Sequence, residues 1–132
     1  MNIEYFADGA VDTPLILIYG DDPTGVEKLR LSIENLINGL VDIVVVHELP
    51  DYVSIDDCKL FLQVDRDDLG VWFPKKKEKV FICSQTKETW IDVIDKLEPF
   101  TDPDTYKYSG GSFQYLTDTI GINLIISTRR SW

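Results

Sequence analysis

The chain has 132 residues, 44% of them hydrophobic, and 23 acids against 13 bases give it a formal net charge of −10. That length suits one hydrophobic core, and the apolar content excludes global disorder. So much negative charge opposes direct contact with a nucleic-acid backbone and favours association with basic proteins.

In chain order, Ile3–Ala7 reads as a short strand ended by Asp8-Gly9. Leu15–Tyr19, an unbroken apolar run between Pro14 and Gly20, reads as a buried strand. Asp22 can cap a helix with Pro23 at its first position, and Val26, Leu29, Ile33, Leu36 and Ile37 share one face. Asn38-Gly39 stops that helix. Ile43–Val46 follows as a second apolar strand, and a strand–helix–strand unit predicts that the two strands lie parallel in one sheet. Lys59–Val64 and Val80–Cys83 read as strands joined by polar residues 65–79, which Val71-Trp72-Phe73 interrupts. Thr86 opens a second helix with Trp90, Ile94 and Leu97 inside and Pro99 just past its end. Asp102-Pro103-Asp104 and Ser109-Gly110-Gly111 mark a loop. Phe113–Leu116 and Ile122–Thr128 then form a hairpin turning near residues 118–121. The expected fold class is α+β: a mixed sheet of about six strands with two helices packed on one face, in a single globular domain over residues 1–132. Leu17, Ile33, Val45, Leu62, Phe81, Trp90, Ile94 and Ile125 are the expected core.

The longest apolar runs are far too short to cross a bilayer. Met1–Asp8, with two acids and no base, does not read as a secretory signal, so a cytoplasmic location is expected. Cys58 and Cys83 sit in apolar runs and read as buried free thiols.

Residues 20–25 occupy the place of a phosphate loop, but Val26 and Glu27 follow Gly25 where a Walker loop has Lys-Ser/Thr. Residues 65–70 begin like a calcium loop, yet Leu69 and Lys76 fall where oxygen ligands are needed. His47, the only histidine, has no serine elbow or cysteine beside it; a small hydrolase built on it is the enzymatic alternative. No catalytic, cofactor or metal residue is therefore assigned. Lys75-Lys76-Lys77 with Lys79 reads as a solvated guard on a loop or edge strand.

Leu15–Pro23, with its acidic pair Asp21-Asp22, resembles the first strand of response-regulator receiver domains, and Ile43–Asp51 is similar to their third strand. The resemblance implies a receiver-like or adaptor signalling domain. His47 stands where that family has its phosphoaccepting aspartate, and the second strand has no counterpart.

The remaining constellation is acidic. Residues 1–74 hold 15 acids and 4 bases, residues 75–132 hold 8 and 9. Asp51, Asp56, Asp57, Asp65, Asp67 and Asp68 crowd together in sequence with Tyr52 and Trp72 nearby, and these eight residues are the expected partner-binding set. Aromatic anchors ringed by acids suit a surface rich in Arg and Lys. In size, acidity and lack of catalytic signature the chain resembles, at the level of class, the small bacterial immunity proteins paired with toxins. That resemblance implies a non-enzymatic inhibitor binding a basic toxin domain such as a nuclease.

Overall fold

The computed structural model describes residues 1–10, 13–74, 78–106, 112–117 and 121–132. It contains nine strands and two α-helices among these residues, arranged as two mixed sheets: β1 (Asn2–Ala10), β2 (Thr13–Tyr19), α1 (Pro23–Ile37), β3 (Val44–Val45), β4 (Val53–Ser54), β5 (Lys59–Val64), β6 (Gly70–Trp72), β7 (Val80–Gln85), α2 (Lys87–Leu97), β8 (Phe113–Tyr115) and β9 (Asn123–Ser127). The α+β class stands, while a single sheet of about six strands does not. One sheet has the order β4-β1-β2-β9-β8 and the other β3-β5-β7-β6, linked by an isolated bridge between Val71 and Ile122. No helix among the described residues is long and apolar enough to cross a membrane.

The local signals for both helices hold. Asp22 Oδ1 accepts from Gly25 N at 2.9 Å, and Pro23 follows in the first turn, where a missing N–H costs nothing. At the other end Leu40 N donates to Asn35 O and Gly39 N to Leu36 O, with Gly39 at φ +74°. This is the Schellman arrangement, whose left-handed residue favours glycine. The buried stripe of α1 is Val26, Leu29, Ile33 and Leu36; that of α2 is Trp90, Val93 and Leu97, with Ile94 half-buried.

The parallel unit expected from the first two apolar runs does not form. Instead β2 lies between antiparallel β1 and parallel β9, and β3 joins the other sheet antiparallel to β5. In this arrangement both apolar faces of β2 are covered. Ile16 and Ile18 face the main core beside Ile3, Leu124 and Ile126. Leu15, Leu17 and Tyr19 point the other way and form a second buried cluster with Ile125, edged by Phe6 and Trp132. Arg130 reaches back to Glu4 at 2.8 Å there, and Tyr19 donates to the same carboxylate at 2.8 Å.

The main core is shared by the two sheets and both helices, with Tyr5 of β1 meeting Phe81 of β7 at 4.7 Å between ring centroids. Of the expected core, Val45 and Ile94 are only half-buried and the other six residues are buried. The β8–β9 hairpin pairs as expected, with Tyr115 opposite Ile125. The lysine run at 75–77, the loop at 109–111 and residues 118–120 of the turn lie outside the described residues.

Candidate protein-docking face

The register of the four-stranded sheet sorts its side chains into rows, because direct cross-strand partners share a face and successive residues alternate. One row runs Val44–Leu62–Cys83–Val71 across β3, β5, β7 and β6, and all four residues are buried in the main core. The next runs Val45–Phe61–Ile82–Trp72 across the same strands and points away from that core. None of these four belongs to either buried cluster. Val45, Phe61 and Ile82 are half-buried, and Trp72 is 37% exposed. The result is an apolar stripe spanning all four strands on the open face.

The stripe is held in shape by polar neighbours. Trp72 Nε1 donates to Ser84 Oγ at 3.0 Å, and Gln63 Nε2 donates to the same oxygen at 2.8 Å. Both indole and amide are thus oriented by a hydroxyl on β7. At the β3 end the chain turns away after Val45, and His47 Nδ1 takes over as acceptor for Leu60 N at 3.1 Å. Its ring meets Phe61 edge-on at 5.1 Å. His47 therefore completes the backbone bonding of β5, and an accepting Nδ1 leaves the imidazole proton on Nε2.

The expected acidic surface is divided. Asp51 is exposed beside α1, where Lys28 lies 3.2 Å away. Asp56 and Asp57, both left-handed at φ +51° and +58°, precede β5 and line a surface cavity of about 300 Å³ with Lys59, Glu78, Lys79 and Val80. Asp65, Asp67 and Asp68 lie past the other end of β5. Six strand residues at about 3.3 Å each separate the two groups by ~20 Å. The stretch 51–68 is therefore divided by β5 and is not one patch. Only the group 65–68 shares the sheet end toward which the Trp72 indole points, since Asp65 N bonds Gln85 O one residue beyond Ser84.

Two of the expected binding residues have structural duties. Tyr52 is buried and its hydroxyl donates to Gly25 O at 2.6 Å, so it is a core residue and not an exposed anchor. A tyrosine between acids can be buried when its one polar atom finds a backbone acceptor. Asp68 accepts from Thr86 N and Thr89 Oγ1, both at 2.8 Å, and so braces Thr86, the residue whose hydroxyl caps α2 by accepting from Thr89 N. The Thr86 backbone bond is the main reason its carboxyl sits below the usual range. Asp65 bonds its own turn through Arg66 N, leaving Asp67 as the carboxylate of this group with no cationic partner or cap among the described residues.

Cys58 and Cys83 are buried free thiols, pushed up to about 12 by burial. Among the described residues no group of three His, Cys, Asp or Glu side chains could hold a metal ion. The chain matches no family model, no curated protein and no solved structure.

Proposed function

We propose that this protein is a non-enzymatic, cytoplasmic binding domain that neutralises a basic protein, most simply an immunity protein acting on a toxin domain such as a nuclease. The observation behind the reading is the apolar row Val45–Phe61–Ile82–Trp72, left outside both buried clusters, with Asp65 and Asp67 past the end of β5 toward which the Trp72 indole points. A desolvated aromatic centre supplies lifetime, and rim carboxylates supply steering. The negative charge of the whole chain strengthens attraction to a basic partner and weakens at high salt.

The test begins with the partner captured from the native cell and identified, then purified for kinetic measurement. Trp72→Ala should speed dissociation at least tenfold. Asp65→Lys with Asp67→Lys should slow association several-fold at low salt and less at high salt. A captured partner that is acidic, or one whose kinetics ignore both changes, would sink the proposal.

A further inference from the structure

A second feature lies at the β3 edge of the same sheet. The Schellman turn after α1 is commonly accompanied by a hydrophobic contact from the residue in Leu40's position back onto the helix. Here Leu40 is instead 72% exposed, and Val41 and Ile43 are exposed after it. Beside them a cleft of about 170 Å³ opens between α1 and β3, lined by Ser32, Asn35, Val41, Ile43, Val44 and Leu49, with Val45 completing its wall. A dry cavity of roughly 150 Å³ is large enough for benzene, so this one can take a branched aliphatic side chain.

Among the described residues strand β3 pairs only with β5 and ends the order of its sheet. In an antiparallel pair successive residues direct their N–H and C=O alternately toward the partner strand and away from it. One of Val44 and Val45 therefore presents its backbone groups to the outer edge. Acids flank the strand on both sides in sequence: Asp42 before it and Glu48 after it, both exposed and neither with a cationic partner among the described residues. An apolar centre between two carboxylates is complementary to a strand with aliphatic side chains flanked by lysine or arginine.

We infer that this edge accepts an extended segment of the basic partner as a fifth strand, with one aliphatic side chain in the α1–β3 cleft and flanking cations on Asp42 and Glu48. Strand addition of this kind takes affinity from main-chain bonds and specificity from alternate side chains. The inference rests on the binding role proposed above and names its mode. Because Val45 belongs to both the cleft wall and the outward row, the added strand would extend the apolar stripe by one position.

The probe is a blocked peptide, Lys-Ile-Lys-Val-Lys, titrated into isotopically labelled protein and followed by amide NMR. Shifts should concentrate at residues 41–49, Ser32 and Asn35, and one β3 amide should gain exchange protection. Ile43→Lys should weaken binding at least tenfold without moving the melting temperature, since that side chain is 42% exposed. Val41→Lys is the second variant should the first disturb the fold. A Glu-Ile-Glu-Val-Glu peptide should not bind, and N-methylation of alternate peptide amides should abolish binding. Shifts that are absent or spread over all acidic segments would overturn the inference, as would equal binding by the glutamate or N-methylated peptide. No peptide binding alongside intact binding of the whole partner defeats the cleft alone. Peptide binding alongside a captured partner that ignores Trp72 and the acid reversals defeats the wider role alone.

Discussion

Trp72 and Ser84 are joined side chain to side chain, indole N–H to hydroxyl oxygen at 3.0 Å, across the β6–β7 pair. The bond orients a ring that the core does not hold. Trp72→Phe keeps much of the apolar area but loses the donor, while Gln63 continues to serve Ser84. Unfolding in urea should show a loss of about 0.5–1.5 kcal/mol, the usual net worth of such a bond. Trp72→Phe should bind the partner between wild type and Trp72→Ala.

Asp67 and Asp68, adjacent in sequence, should behave differently. Asp68→Ala removes an acceptor from both Thr86 N and Thr89 Oγ1 at the start of α2, and should cost ~1–2 kcal/mol in chemical unfolding. Asp67→Ala, exposed, should change stability by no more than about 0.5 kcal/mol. Equal effects would mean that Asp68 does not brace the Thr86 cap.

His47→Phe retains an aromatic ring against Phe61 but leaves Leu60 N without its acceptor. A buried donor left unpaired costs about 1–3 kcal/mol, less where water reaches it. His47→Asn, which can still accept, should recover part of the loss. Amide exchange at Leu60 should accelerate in the first variant and much less in the second.

The thiols set the alkaline limb of stability. Unfolded, Cys58 and Cys83 ionise near 9; folded, burial pushes both to about 12. Their contribution is therefore present in full below pH 9 and is lost as pH rises toward 12, because only the unfolded chain releases the protons in that window. The disulfide reagent DTNB at pH 8 should modify the native protein slowly and the urea-unfolded protein at once. Rapid native labelling of both cysteines would contradict their burial.

Glu4 governs the acid side. Hydrogen bonds from Arg130, opposed by burial and aided by Tyr19, hold its carboxyl below the usual range. A lowered folded value gives stability that is present above about pH 4.5 and lost as pH falls through the folded value. Glu4→Gln should flatten that part of the pH–stability curve. An unchanged acid limb would show that the Arg130 contact, with a side chain 61% exposed, is screened away.

What was legible in the sequence was what is decided locally. The Asp22 cap, the stripe from Val26 to Leu36 and the stop at Gly39 all lie within one helix length, and each is found where the sequence places it. Most strands were legible, but not the short β4 at Val53–Ser54, nor β6, where Val71-Trp72-Phe73 reads only as a break in a polar stretch, nor the partition into two sheets. Leu15–Tyr19 and Val44–Val45 are both apolar, and the partners that separate them, β9 and β5, are chosen by long-range packing. The acid cluster misled for a geometric reason: a strand lies between its halves. The outward row was only partly hidden: Lys59 and Gln63, two positions either side of Phe61, mark the open face of β5, whereas Val80–Cys83 is apolar at every position, where a period of two cannot say which face stays open.

The placement of β2 between β1 and β9 also governs the order of assembly. Leu15 and its partner Asn123 are 108 positions apart, so that pairing is among the most non-local in the molecule. During synthesis β1 and β2 can form a hairpin early, but one long edge stays unpaired until β9 has been made. Ile16 and Ile18 on one side, and Leu15 and Leu17 on the other, lack the cover that β9 supplies for that whole interval. A nascent hairpin that is apolar on both faces and unpaired along one edge is prone to aggregation until β9 closes it.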